Sequence, residues 1–161
     1  MTQNEKGIKI RKMVEDDLPR VNAIDRSLFS EGRVTTWPFP IDAYLEVYHP
    51  KLSFVAELEG ELVGFLMGVI KKEERSRSIF SQVHRVTPAS RGRRVGWIDM
   101  VGIRHKHWHK GVARALVEAF QNECKRKNAI MRINVRYKDK DLKEFLVALG
   151  FKRWGIITYQ K

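Results

Sequence analysis

Apolar residues near the start of the chain recur at alternate positions and then at every third or fourth. "IKIRKM" (Ile8 to Met13) alternates and predicts a strand, whereas Leu18, Val21, Ile24 and Leu28 within "EDDLPRVNAIDRSLF" share one side of a helix. Asp16 or Asp17 can cap that helix, with Pro19 accommodated in its first turn. "EGRVTTWPFP" follows as a loop that shows aromatic residues, and "IDAYLEVY" predicts a second, short helix.

"SFVAELEGELVGFLMGVI" predicts a hairpin, with strands Ser53 to Leu58 and Leu62 to Ile70 joined by a turn at Glu59 and Gly60. The pattern is then lost over Lys71 to Val95, a basic stretch longer than an ordinary connection, in which "SIFSQVHRV" is a candidate extra strand. Strand character returns in "GWIDMVGIR" (Gly96 to Arg104). A strongly periodic helix follows from Gly111 to about Lys127, with Val112, Leu116, Phe120 and Cys124 on one side. "IMRINVRY" (Ile130 to Tyr137) predicts a strand, "KDLKEFLVALG" (Lys140 to Gly150) a helix closed by its glycine, and "WGIITYQ" a last strand. No repeat and no linker interrupts this order, which predicts a single mixed α/β domain over residues 1–161.

Composition narrows the class. The chain has 161 residues, enough to bury a core, and its 43% hydrophobic and 31% charged residues exclude disordered and fibrous types. Its longest apolar runs are too short to span a membrane and its polar start lacks a signal-peptide pattern, so we expect a cytoplasmic protein. A single cysteine, Cys124, excludes an internal disulfide, and its place on the helical stripe makes it core filler rather than a catalytic thiol. Thirty-one Lys and Arg against 19 Asp and Glu give a net charge of +12, which favours an anionic partner: a nucleotide-like cofactor, nucleic acid or an acidic protein.

"HKHWHKGVARAL" (His105 to Leu116) concentrates the candidate chemistry, and three readings compete for it. A strand that turns through a small-residue loop into a helix offers unpaired N–H groups at the positive end of the helix dipole, which suits a pyrophosphate. Gly111 and Ala113 leave that backbone accessible, and Lys110, Arg114 and His109 add charge. His105, His107 and His109 would lie on one side of an extended segment and so suggest zinc, although the intervening lysines would repel it. Trp108 as a stacking platform would suit single-stranded nucleic acid.

"VGIRHKHWHKGVARALVEAF" resembles the acyl-CoA-binding signature of the GNAT superfamily of N-acyltransferases, with Gly111, Val112, Ala113, Ala115 and Leu116 matching. "RKMVEDDLPRVNAID", "FVAELEGELVGFLMG" and "FLVALGF" resemble the family's opening strand and helix, its central hairpin and its closing helix. The resemblance implies a mixed, mostly antiparallel sheet of six to seven strands, splayed between the fourth and fifth and flanked by about four helices. It implies acetyl-CoA as co-substrate, with no metal. The pantetheine arm would pair with Val101, Gly102 and Ile103, and the pyrophosphate would sit on the backbone from His109 to Arg114. Two departures stand out: Trp108 fills the family's Gln or Arg slot, and Leu146 fills that of the tyrosine which protonates the departing thiolate. The family's asparagine before the closing helix appears as Asp139, a further cofactor-binding candidate.

Acetyl transfer requires a base for the amine and a donor for the thioester carbonyl. Alternation would put Trp97, Asp99, Val101 and Ile103 on one side of their strand, which makes Asp99 the candidate base, acting directly or through water, or else an acid that orders the sheet. Tyr137, with Tyr159 behind it, is the candidate acid, unless each packs at the sheet edge. Trp37, Phe39 and Tyr44 either line the acceptor entry or pack two helices together. Within the superfamily the resemblance is strongest to protein N-terminal and ribosomal-protein alanine acetyltransferases. It implies a peptide α-amine as acceptor, with a polyamine or a lysine side chain as the alternative, and a monomer or homodimer. A non-catalytic CoA-binding or nucleic-acid-associated module of the same fold is the contrasting class.

Overall fold

The computed structural model of the chain describes residues 7–30, 52–72, 94–135 and 139–153, and within them five strands pair in chain order. They are β1 (Ile8–Lys12), β2 (Phe54–Leu58), β3 (Glu61–Lys72), β4 (Arg94–Ile103) and β5 (Ala129–Ile133). The first four pair antiparallel, and β4 and β5 pair parallel. Three α-helices accompany them among the described residues: α1 (Leu18–Ser30), α2 (Val112–Arg126) and α3 (Lys140–Ala148). The predicted helix "IDAYLEVY", the candidate strand "SIFSQVHRV" and the last strand "WGIITYQ" lie outside the described residues, as do Trp37, Phe39, Tyr44, Tyr137 and Tyr159.

Neither Asp16 nor Asp17 acts as a simple cap on α1, because residues Glu15–Asp17 form a 3-10 turn of their own. Asp17 is fully buried. Its carboxylate accepts two hydrogen bonds from Arg11, at 2.6 and 2.7 Å, one from Arg20 at 2.8 Å and one from the Val14 N–H at 3.0 Å. A buried charge is tolerable when so fully paired, and the Arg11 guanidinium holds the Asp17 carboxyl below the usual carboxylate range. Arg11 also bonds Glu57 at 2.8 Å, which ties the start of α1 to β2 through β1.

The hairpin turn falls at Glu59 and Gly60, both with positive φ (51° and 80°), the conformation that matches the twist of two antiparallel strands. At the other end of the chain α3 closes on Gly150, whose φ of 84° lets the Phe151 N–H reach back 3.0 Å to the Leu146 carbonyl.

Helices cover both faces of the sheet. On one face Val21, Ile24 and Leu28 of α1 pack on Val55, Leu62, Phe65, Met67 and Met100. On the other, Val112, Leu116, Val117, Phe120 and Cys124 of α2 pack on Phe54, Ala56, Val63, Leu66 and Ile98. Cys124 is 1% exposed and burial pushes its thiol up to about 11, which fits the core-filler reading.

One extra residue in β4 shapes the centre of the sheet. Gly68 pairs with Ile98 and Met67 with Met100, so Asp99 is bulged out of the ladder. Before the bulge even-numbered residues face α2: Ile98 lies in its cluster, and a Cβ on Gly96 would meet Cys124 and Phe120. After it they face α1: Met100 joins the α1 cluster, and a Cβ on Gly102 would lie 2.5 Å from Phe65 Cε1 and 3.0 Å from Leu28 Cδ1. The expectation that Trp97, Asp99, Val101 and Ile103 share one face is therefore wrong. Trp97 is on the α1 side, and Val101 and Ile103 are on the α2 side.

The second correction concerns β5, expected to run from Ile130 to Tyr137 and assigned only over Ala129–Ile133. Its last pairing is Ile98 with Ile133, next to the bulge, and β4 runs on for five more residues without it. Asn134 and Val135, the described residues that follow, have no ladder pairing with β4, and Tyr137 lies outside the described residues.

Candidate active site

A cleft opens where β4 and β5 part. Its apex is the Ile98–Ile133 pair, and one wall is β4 from Asp99 to Ile103, which on that edge has no strand partner among the described residues. Asp99, at the bulge, is half-buried and stands at the apex. Below it Arg132 of β5 lies over the Trp97 ring at 5.7 Å, across the last turn of parallel pairing.

The wall leads directly to the mouth of α2. After Ile103 the Arg104 N–H still bonds the Val63 carbonyl of β3 at 2.9 Å, and His105–His107 then form a 3-10 turn. That turn removes the basis of the zinc reading, since His105, His107 and His109 do not lie along an extended segment. No group of three or more metal-binding side chains occurs among the described residues. His109 has φ of 60° and Gly111 φ of 83°, so the backbone turns sharply before Val112 begins the helix. No side chain caps α2 and no acid stands in its first turn, leaving the first N–H groups and the dipole open to an anion. Exposed His109, Lys110 and Arg114 surround this mouth.

Two neighbours are otherwise engaged. Lys106 bonds Glu61 at 2.8 Å, and Arg104 approaches the same carboxylate at 3.5 Å. The Lys106 bond holds the Glu61 carboxyl down, and the pair fixes the β4–α2 connection to the start of β3. His107 is almost enclosed, 11% exposed in its side chain, and neither ring nitrogen has a hydrogen-bond partner among the described residues. Burial, and then Lys110 and Lys106, lower its pKa, so the ring is neutral at pH 7.

Trp108 is neither a phosphate partner nor a stacking platform. Its indole N–H donates to the Ile103 carbonyl at 2.8 Å, its ring meets His105 edge-on at 4.4 Å, and it packs against the α1 cluster. The Ile103 carbonyl is therefore engaged, whereas the Ile103 N–H and the Val101 groups on the cleft edge have no strand partner among the described residues.

Strand splay, an open polar edge and an uncapped helix mouth fit an extended thioester that ends in a pyrophosphate. Residues 18–151 match the acetyltransferase (GNAT) family. The chain belongs to that family. Its members' chemistry makes it an acyl-CoA N-acetyltransferase, as the signature around Gly111 implied.

Solved structures agree on the fold. A ribosomal-protein-alanine N-acetyltransferase from Brucella melitensis biovar Abortus 2308 is 18% identical, with a TM-score of 0.68, over 96% of this chain and 99% of that one. AAC(6')-Iy in complex with a bisubstrate analogue, CoA-S-monomethyl-acetylneamine, is 21% identical, with a TM-score of 0.67, over 97% and 99%. Arabidopsis thaliana Naa50 in complex with the bisubstrate analogue CoA-Ac-MVNAL is 14% identical, with a TM-score of 0.66, over 91% and 83%. No curated protein sequence matches the chain.

Within this GNAT frame Val101, Gly102 and Ile103 form the cleft wall, and His109 to Arg114 form the helix mouth. The two follow each other along the chain, and Trp108 ties the end of the wall to the loop that opens the mouth. Gly102, however, is required by packing: its missing side chain makes room for Phe65 and Leu28. Asp139 is the N-cap of α3, its Oδ1 accepting from the Leu142 N–H at 3.0 Å. That cap is a structural role the sequence reading had not given it. Leu146 is 5% exposed and brings no acid to the tyrosine slot. One carboxylate that the reading passed over is Asp25, half-buried on the sheet-facing side of α1. Its signal was present: it follows Leu18 by seven residues and Val21 by four, so it falls on the apolar stripe.

Proposed function

We propose that this GNAT enzyme transfers an acetyl group from acetyl-CoA to a primary amine by direct attack, with the α-amine of a peptide or protein as acceptor. The observation that carries the reading is the continuity of the open β4 edge with the uncapped start of α2. An extended ligand paired along Val101 to Ile103 would deliver its phosphates to the N–H groups around Gly111. Lys110, Arg114 and His109 would add charge to that seat, and Asp139, by capping α3, would hold the far side of the cleft.

For the chemistry, the N–H groups of Val101 and Ile103 are the donors available to polarise a carbonyl held at the wall. Asp99 at the apex is the base, alone or through water. Tyr137, outside the described residues, remains the candidate proton donor for the departing thiolate. A small polycationic amine is the second reading, favoured by the likeness to AAC(6')-Iy, whose structure carries an acetylneamine analogue.

The test is thermal shift with acetyl-CoA, followed by thiol release with a panel of peptides, polyamines and lysine derivatives. Stabilisation by acetyl-CoA and turnover with amines are expected. Absence of stabilisation, together with RNA binding of steep salt dependence, would overturn the enzyme in favour of a binding module.

A further inference from the structure

A half-buried carboxylate in a chain of net charge +12 has no shortage of cations to pair with, yet Asp25 makes no hydrogen bond or ion pair with another described residue. The contrast with its peers is sharp. Asp17 is paired with Arg11 and Arg20, Glu57 with Arg11, and Glu123 with Arg126.

Its position is fixed by the helix around it. Val21 and Ile24 of α1 are fully buried and Leu28 is 7% exposed, and Asp25 stands between Leu18 and Val21 around the helix axis. The helix rises across the sheet, from the Met13 N–H bonded to the Ser53 carbonyl at 2.9 Å to Leu28 beside Gly102. The β4–α2–β5 connection is a parallel crossover, and such connections follow the right-handed path, which sets the order of the strands as seen from α1. In a right-handed helix rising that way, Ile24 turns toward β2 and β3, and Asp25 turns toward β4 and β5. Asp25 therefore lies on the flank of α1 that overlooks the cleft, on the face of the sheet that carries Trp97, Met100 and Gly102. Burial pushes its carboxyl up from the usual carboxylate value.

We propose that Asp25 receives a cationic nitrogen of the acceptor, which makes the inner flank of α1 one wall of the acceptor site and selects alkylammonium substrates. An incoming ammonium supplies the charge that no described residue brings to Asp25, and in a chain rich in lysine and arginine the carboxylate gives a cation a favourable point of entry. This inference rests on the acetyltransferase reading for the identity of the second substrate. It is independent of which residue is the base.

The experiment compares wild type with Asp25→Asn and Asp25→Glu at saturating acetyl-CoA, using a peptide with a free α-amine and spermidine as acceptors. In Asp25→Asn the KM for each amine should rise about tenfold or more while kcat changes less than about threefold, and Asp25→Glu should recover part of the loss. Acetyl-CoA affinity and the melting temperature should be retained, since no ion pair with a described residue is lost. An unchanged amine KM, or a fall in kcat as large as the rise in KM, overturns the proposal. Calorimetric binding of spermidine to the CoA-bound protein gives a readout free of turnover. Equal affinity in wild type and Asp25→Asn, or no binding to either, overturns it too. Failure of acetyl-CoA to bind at all would instead strike the acetyltransferase reading.

Discussion

Trp108 reaches back five residues to place its indole N–H 2.8 Å from the Ile103 carbonyl, which joins the end of β4 to the loop that opens α2. The ring also packs on the α1 cluster, so one side chain fixes both the cleft wall and the helix mouth. Trp108→Phe keeps an aromatic ring and removes the donor. It should cost about 1 kcal/mol of stability in urea unfolding and weaken acetyl-CoA binding several-fold by calorimetry. If binding is unchanged while stability falls, the loop is held by Glu61 and its basic partners alone.

Gly111 has φ of 83°, a conformation that costs a residue with a side chain about 1–2 kcal/mol. Gly111→Asn should fold nearly as well as wild type, because asparagine tolerates the left-handed region, whereas Gly111→Ala should lose about 1 kcal/mol. Gly111→Glu adds negative charge where we propose that the pyrophosphate sits, and acetyl-CoA affinity should drop by more than about tenfold relative to Gly111→Asn. Equal affinities of the two variants would move the phosphates elsewhere.

Asp99 gives a test of chemistry apart from binding. Asp99→Asn keeps the size of the side chain, so acetyl-CoA affinity should persist while kcat falls by about 10²-fold or more and the acidic limb of the pH–rate profile, where a base is protonated, changes. A kcat within threefold of wild type would leave Asp99 as an acid that orders the sheet.

His107 offers a pH dependence of stability with a definite sign. Its folded pKa lies below the unfolded value of about 6.5, because burial and the nearby Lys110 and Lys106 disfavour the imidazolium, with Glu61 at 4.0 Å opposing them. The unfolded chain thus binds more protons in this range, and the contribution is complete above about pH 6.5 and lost as pH falls through the folded pKa. His107→Phe should be neutral or slightly stabilising at pH 7, since both ring nitrogens lack partners among the described residues. Melting temperatures at intervals from pH 8 to 5 should decline less in the variant. Parallel curves for the two proteins would show that the ring takes up no proton in that range.

Much of this architecture was legible in the pattern of residues. The stripe Val112, Leu116, Phe120 and Cys124 predicted α2 and its buried face, and the Glu59–Gly60 turn predicted the β2–β3 hairpin, because periods of 3.6 and 2 and turn chemistry are local properties. The place of Gly111 at the mouth of a helix was equally plain. The histidines misled, since alternation implies a shared side only in an extended segment, and a 3-10 turn has a different period.

The sequence alone, then, determined the order of strands and helices, the family and the seat expected for the phosphates. All of these follow from short-range periodicity and from residue types at fixed spacing. Only the tertiary structure decided which face each β4 residue takes, because the single extra residue at Asp99 is defined by pairing with β3 and has no signature in β4 itself. It likewise turned the Trp108 indole back onto the Ile103 carbonyl and the α1 cluster, and set Asp25 on the cleft side of α1. Both roles depend on how the loop and the helix pack on the sheet, a relation between segments that no local pattern contains.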